Sequence, residues 1–258
     1  MPPRGLRPSG LFLLDKPAGP SSFALVREVR ERTGARTGHA GTLDPFASGL
    51  LLVLSGAATR LARWLVGLDK QYVTEIDLRA RTTTGDPEGD LFEQHEAPSE
   101  QELRERLADL RGEVELRVPA ASAVKVSGER AYRLARRGEA PEMPLRRSRI
   151  DAVEVIAYRG ETVTLGLRVG SGTYIRSIAD ALGGHCRTLR RTEVGPFRVE
   201  NADPGRLLPA SEALPFLPSR EVDAETAAAI RQGRERVSED VRVLHAGELV
   251  AVDGTVLP

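Results

Sequence analysis

The stretch 38–54 of the chain reads GHAGTLDPFASGLLLVL. Its first part, 38–49, is rich in glycine and other small residues, which is typical of a loop, and Asp44-Pro45 within it indicates a turn with Asp44 as a capping residue. Residues 50–54 are all apolar and have the length of a strand that is buried on both faces. The stretch therefore predicts a compact loop that leads directly into a buried strand.

Predicted helices and strands alternate on both sides of this stretch, without the regular spacing of a parallel, doubly wound fold. A short strand at 10–14 precedes a helix that Ser21 or Ser22 can cap and that Gly34 can end. Ser99 and Glu102 form a capping box at the start of a helix over 100–110. Further helices are predicted at 57–66 and 129–137, and further strands at 72–78, 149–157 and 162–169. The pattern predicts an α+β domain with mainly antiparallel connections.

The composition changes after Asn201, where several prolines interrupt a linker that precedes an alanine-rich helix at 223–231. Three short strands are predicted near Val241, Leu249 and Val256. We therefore predict two domains, residues 1–204 and a small β-rich module of residues 205–258, which is marginal in size for folding alone.

Composition restricts the class of protein. The single cysteine, Cys186, excludes an internal disulfide, so we expect a protein of a reducing compartment and a cytoplasmic location. No apolar run approaches the roughly 20 residues of a membrane helix. The net charge is zero, which is not typical of a nucleic-acid binder, but residues 201–258 hold 6 basic and 10 acidic side chains, so the rest of the chain is slightly basic.

Several enzyme signatures are absent from the sequence. It contains no phosphate-binding loop, no dinucleotide glycine fingerprint, no Gly-x-Ser-x-Gly elbow and no HExxH pair. The four histidines lack the spacing of metal ligands. We therefore expect neither a metal nor a cofactor.

The stretch 38–49 resembles the signature of the pseudouridine synthase family that modifies the T-loop of tRNA, Gly-His-x-Gly-Thr-Leu-Asp-Pro-x-Ala-x-Gly, without a gap. Other motifs of that family follow in the same order along the chain, and the resemblance covers residues 9 to about 200. They are Asp15-Lys16-Pro17 with Gly19 and Ser21-Ser22, Lys70-x-Tyr72, Thr82-x-Thr84-x-Asp86-x-x-Gly89, Ser122-Ala123-Val124-Lys125-Val126, Gly172-Thr173-Tyr174-Ile175-Arg176 and Leu189-Arg190-Arg191-Thr192.

This resemblance implies a role for each matched residue. Asp44 would be the catalytic carboxylate, which either attacks C1′ of the target uridine or removes a proton from C2′. Arg176 would orient Asp44 through a charge-assisted pair, and Tyr72 would stack on the base and take part in proton transfer at C5. His39 would hold the T-loop with the target base flipped out. The remaining substrate-binding positions implied are Lys16, Pro17, Asp86, Tyr174 and Leu189.

The implied protein is a monomeric isomerase that acts on the T-arm of tRNA without a protein partner. Its central, mainly antiparallel sheet with flanking helices would carry the active-site cleft, and the C-terminal module would correspond in position to a PUA-like RNA-binding domain. Two other functions are considered. A noncatalytic RNA-binding or tRNA-folding protein is disfavoured by intact Asp44, Tyr72 and Arg176. A nucleoside or glycoside hydrolase is disfavoured because no second carboxylate stands in an equally distinctive motif.

Overall fold

The computed structural model describes residues 8–126, 128–137, 142–237 and 240–257. The helices are α1 Ser22–Thr33, α2 Ala62–Val66, α3 Glu100–Asp109, α4 Ala131–Arg136, α5 Ile175–Ala181 and α6 Ala224–Arg231, with 3₁₀ segments at Gly56–Leu61, Val199–Asn201 and Ala210–Glu212. The strands are β1 Gly10–Lys16, β2 Thr37–His39, β3 Ser48–Ser55, β4 Lys70–Asp77, β5 Ala80–Thr82, β6 Leu91–Gln94, β7 Gly112–Arg117, β8 Lys125–Val126, β9 Glu129–Arg130, β10 Leu145–Tyr158, β11 Thr162–Val169, β12 His185–Val194, β13 Phe197–Arg198, β14 Leu208–Pro209, β15 Ser219–Glu221, β16 Arg242–His245, β17 Glu248–Val252 and β18 Thr255–Val256.

The chain divides into two compact units. The terminal unit combines Met1–Leu68 with Glu193–Pro258, and the central unit consists of Asp69–Thr192. Residues from both ends of the chain therefore build one unit.

Strand β3 is the centre of the terminal unit. It pairs antiparallel with the whole length of β1, from Gly10 opposite Ser55 to Lys16 opposite Gly49, and β2 pairs with it as well. Leu51 and Val53 point into a core formed with helix α1, whereas Leu50, Leu52 and Leu54 belong to a second core. Apolar residues at every position of 50–54 are thus explained by burial on both faces.

The second core joins the C-terminal module to the first part of the chain. Leu214, Leu249 and Leu257 pack there with Leu50 and Leu61. On its other side the small sheet β15–β16–β17–β18 packs on α6. The division of the chain at 204/205 stays a prediction, but residues on both sides of that boundary share a core.

Strands β12, β4, β11, β10 and β7 lie in this order in the central unit. Pairing is antiparallel from β4 to β7, with Tyr72 of β4 opposite Leu167 of β11. The predicted helix 129–137 is partly wrong, because Glu129–Arg130 pair with Lys125–Val126 as a short hairpin and α4 begins only at Ala131. Its predicted stop, Gly138, lies outside the described residues.

Local sequence signals explain the helix boundaries. Ser21 caps α1 by accepting from Ala24 N, and Gly34 ends it with φ +62°. The capping box of Ser99 and Glu102 is present at α3. The predicted α+β class with a small β-rich C-terminal module is confirmed. Among the described residues, no helix is long and apolar enough to cross a membrane.

The shared core predicts that the C-terminal module contributes to the stability of the first part of the chain. Leu214→Ala removes a fully buried side chain, so we expect the free energy of unfolding to fall by about 2–5 kcal/mol. The neighbouring Phe216, which is 38% exposed, provides the control: Phe216→Ala should lower the free energy of unfolding by less than Leu214→Ala. Urea unfolding followed by circular dichroism measures both. Equal stability of Leu214→Ala and the wild type would contradict a shared core.

Candidate active site

Asp44 lies in the loop that joins β2 to β3, and its side chain is half-buried. The Asp44 carbonyl accepts from Ala47 N at 3.2 Å, which closes a tight turn immediately before β3. The loop therefore ends on the most deeply buried strand of the terminal unit.

The residue before Asp44 is fixed by Ser22, the first residue of α1. Ser22 Oγ accepts from Leu43 N at 2.8 Å and donates to Leu43 O at 2.8 Å. Ser22 is buried, so these two bonds are shielded from water. Helix α1 thus holds the backbone immediately before the carboxylate.

The residue after Asp44 is fixed by the turn that follows β1. Lys16 Nζ donates to Pro45 O at 3.0 Å and to Pro17 O and Pro20 O at 2.8 Å each. Gly19 N also donates to Pro45 O, at 2.8 Å, and Gly19 has φ +107°, which favours glycine. Lys16 is 0% exposed, and its buried ammonium bonds to these three backbone carbonyls. The motifs 15–22 and 38–49, separate in sequence, form one structure around Asp44.

Two other predicted residues of the terminal unit lie near this loop in the sequence and differ in exposure. Pro17 is exposed and lines a cavity of about 360 Å³ with Leu14, Pro20 and Leu25. His39 ends β2 opposite Val53 and is half-buried. Their roles toward a substrate stay predictions.

Arg176 is the second residue of α5, and it is only 2% exposed. Its Nη1 donates to Thr84 O at 2.7 Å, and its Nη2 donates to Ala121 O at 3.0 Å. Asp86 Oδ2 lies 3.6 Å from Nη1 and is also buried. These contacts fix the plane of the guanidinium within the central unit.

Asp86 is held by its own turn. Asp86 Oδ1 accepts from Thr84 Oγ1 at 2.5 Å and from Glu88 N at 3.0 Å. A Cβ at Gly89 would lie 2.3 Å from Thr84 Oγ1, so the turn requires glycine there. The segment 82–89 thus forms a support for Arg176. The role of Asp86 beside the target nucleotide stays a prediction, and the contact that the structure assigns to it is with Arg176.

Tyr72 and Leu189 are buried on neighbouring strands, β4 and β12. Thr74 Oγ1 donates to Thr188 O at 2.7 Å and ties these strands together. Tyr174 precedes α5 and packs against Val118, Ala131 and Met143. The predicted residues therefore form two sets: Lys16, Pro17, His39 and Asp44 in the terminal unit, and Tyr72, Asp86, Tyr174, Arg176 and Leu189 in the central unit. The pairing of Asp44 with Arg176 stays a prediction.

Two buried cations of the central unit are absent from the predicted set, Lys70 and Arg191. Lys70 is two residues before Tyr72 and Arg191 two residues after Leu189, so strand alternation places each on the same side as its partner. That two-residue spacing is the feature of the sequence that could have identified Lys70 and Arg191 as candidate site residues. Burial and the positive charge of Arg191 lower the pKa of Lys70 from 10.5 to about 8, while Asp69 acts in the opposite direction.

In the described part of the chain, no group of three or more His, Cys, Asp or Glu side chains is placed to hold a metal ion.

Comparison with known proteins places this site in a family context. The model of the TruB family pseudouridylate synthase (N terminal domain) matches residues 28–175, a range that contains Asp44, Tyr72, Asp86 and Tyr174 and ends just before Arg176. The tRNA pseudouridine synthase B of Leifsonia xyli subsp. xyli is 43% identical over 232 residues, covering 81% of this chain and 77% of its own. The protein of that name from Chromohalobacter salexigens is 38% identical, with coverage of 90% and 82%.

A solved structure, a Cbf5-Nop10-Gar1 complex, contains a chain that is 26% identical with a TM-score of 0.68, covering 94% of this chain and 77% of that one. A second, of an H/ACA RNP bound to a substrate RNA, has the same TM-score at 24% identity and shows likeness of fold.

The lowered pKa of Lys70 predicts an unusual dependence of stability on pH. Between about pH 8 and 10.5 the unfolded chain binds more protons at Lys70 than the folded chain, so the Lys70 contribution to the free energy of unfolding rises with pH. Lys70→Met should therefore be more stable than the wild type at pH 7, by up to about 3 kcal/mol, and the difference should disappear by about pH 10.5. Urea unfolding across this pH range measures it, with the exposed Arg104→Met as control. A Lys70→Met protein that is less stable at neutral pH would contradict the prediction.

Proposed function

Because the chain belongs to the TruB family of pseudouridylate synthases, which are isomerases, we propose that it converts the T-loop uridine at position 55 of tRNA to pseudouridine, with Asp44 as the catalytic carboxylate. The observation that supports Asp44 most directly is the fixation of both its neighbours. Leu43 is bonded to Ser22, and Pro45 to Lys16 and Gly19. Three residues of the stretch 16–22 thus hold the backbone on both sides of one carboxylate.

The proposed reaction breaks the N1–C1′ bond of uridine and forms a C5–C1′ bond after the base has turned. The C5 hydrogen leaves as a proton, N1 gains a proton, and the mass is unchanged. The ribose passes through an electron-poor state at C1′, which a carboxylate stabilises. Asp44 either attacks C1′ or removes a proton from C2′. Both routes need a carboxylate held in a defined position, because misplacement by about 1 Å can cost a hundredfold in rate.

Arg176 is proposed to orient Asp44 through its planar fork of N–H donors. Its bonds to Thr84 O and Ala121 O and its contact with Asp86 support a fixed guanidinium plane. In this proposal Asp86 acts through Arg176, since its carboxylate contacts the guanidinium at 3.6 Å.

The base must leave the stacked T-loop to expose C1′ and C5, so the proposed reaction includes base flipping. Buried Tyr72 and Leu189, with Tyr174, are proposed to line the base pocket, and His39 to hold the loop from which the base has left. For Lys16 the carbonyl contacts favour a role in shaping the site, whereas exposed Pro17 can contact RNA directly.

The deciding experiment uses a T-arm stem-loop labelled with tritium at uridine C5. Isomerisation releases the tritium, which a solvent proton at N1 replaces, and it leaves the mass of unlabelled RNA unchanged. Release of free uracil would instead indicate a nucleoside hydrolase, and RNA binding without tritium release would indicate a noncatalytic RNA-binding protein.

The first variant to test is Asp44→Asn, which keeps the size of the side chain and removes its charge. We expect tritium release to fall by on the order of a thousandfold or more, with tRNA affinity retained. Asp109→Asn, an exposed carboxylate on α3, is the matched control and should behave as wild type. Substantial turnover by Asp44→Asn would show that Asp44 is not the catalytic carboxylate.

The second variant is Arg176→Lys, which keeps the charge and loses the fork. An ammonium cannot reproduce the two bonds of the guanidinium to Thr84 O and Ala121 O together with an oriented carboxylate contact. We expect the single-turnover rate to fall by about a hundredfold. Arg104→Lys, on the exposed face of α3, is the control. A near-normal rate in Arg176→Lys would show that Arg176 contributes only its positive charge and does not orient Asp44.

A further inference from the structure

Lys70 is a buried cation to which neither the predicted site nor the proposed mechanism gives a role. It begins β4, two residues before Tyr72, and is 6% exposed. The alternating burial of β4 places Lys70 and Tyr72 on the same face of the strand. Lys70 Nζ donates to Ser171 Oγ at 3.3 Å.

Ser171 belongs to the segment 170–174, which connects β11 to α5 and so leads to Tyr174 and Arg176. Tyr174, the residue before α5, provides no side-chain cap for this helix. On one side Gly170 N donates to Arg149 O of β10 at 2.8 Å. The bond from Lys70 links the segment to β4.

The segment lies close to two arginines of β10. A Cβ at Gly172, where φ is +84°, would lie 2.7 Å from Arg146 Nη2, and one at Gly170 would lie 3.0 Å from Arg149 Nε. Arginine side chains of β10 therefore pack against the glycines on both sides of Ser171, whose hydroxyl accepts the bond from Lys70.

The charges around Lys70 come from three elements. Arg191 of β12 acts against its protonation, and Asp69, the preceding residue, favours it. Asp69 is itself bonded to Arg149 of β10, which divides its attraction between two cations. Tyr72 is the titratable neighbour on the same face of β4. A cation buried beside another cation is costly to stability, and such cost is found where function requires it.

We propose that Lys70 is a positioning residue of the isomerisation, whose ammonium holds the segment 170–174, and with it Tyr174 and Arg176, in register with Tyr72 on β4. This inference rests on the proposed function. The guanidinium of Arg176 is fixed by Thr84 and Ala121, and Lys70 bonds to the side chain of Ser171 in the segment that enters its helix. A charged donor makes a stronger hydrogen bond than a neutral amine, so the effect of Lys70 should weaken as pH rises through about 8.

The test compares Lys70→Met, Lys70→Arg and Ser171→Ala with the wild type, and Arg104→Met serves as the surface control. Single-turnover tritium release from the T-arm stem-loop is measured with enzyme in excess between about pH 6.5 and 9.5, together with RNA affinity and melting temperature. We expect Lys70→Met to react about tenfold to a hundredfold more slowly at pH 7, with RNA affinity changed by less than about threefold. Lys70→Arg should recover part of the rate, and Ser171→Ala should lose part of it.

The pH profile separates positioning from simple packing. The ratio of the wild-type rate to the Lys70→Met rate should shrink above about pH 8, where Lys70 loses its charge in the wild type. Equal rates for the wild type and Lys70→Met at pH 7 would overturn the proposal, and so would a ratio that does not change with pH or that follows a loss of melting temperature. A wild-type protein that releases no tritium would overturn the proposed function itself.

Discussion

The burial of β3 on both faces is the constraint on which the terminal unit depends. Leu51 and Val53 face α1, while Leu50 and Leu52 face the core that the C-terminal module completes. A strand enclosed in this way cannot shift its register without moving every side chain to the opposite core. The loop of Asp44 ends at the start of this strand, so the backbone that carries the carboxylate continues into a strand whose residues 50–54 are fully buried.

The supports of the two candidate catalytic side chains follow a common principle. Asp44 is positioned through its neighbours, by a serine hydroxyl and a lysine ammonium that bond to backbone atoms. Arg176 is positioned through its own guanidinium, by backbone carbonyls and a carboxylate. In both, buried charged or polar groups serve main-chain atoms of another segment. Such supports keep reacting groups in place before a substrate arrives.

The sequence alone was sufficient to predict those helix boundaries that depend on neighbouring residues. The caps at Ser21 and Ser99 and the glycine stop at Gly34 depend on residues within one turn, and each helix boundary near them was predicted. Strand β12, by contrast, contains mostly polar and basic residues and has no clear alternation in its sequence, so only its position beside β4 reveals it.

The same distinction holds for the site. Motif resemblance identified Asp44 and Arg176 as residues, but the bond between Ser22 and Leu43 joins positions 21 residues apart, and that between Lys70 and Ser171 joins positions 101 apart. Such contacts depend on tertiary packing, and a pattern in one sequence does not contain them.

The core shared by the two ends of the chain also restricts how the protein can evolve. Because Leu249 and Leu257 complete the packing around Leu50 and Leu61, the C-terminal sheet cannot be removed without exposing part of this core. If recombination exchanged this module between relatives, the new protein would combine core residues that had evolved in two different proteins. The exposed turn of the small sheet that carries Ala246 lies outside that core, and lineages are free to vary there in length and charge, whereas Asp253 in the next turn pairs with Arg63.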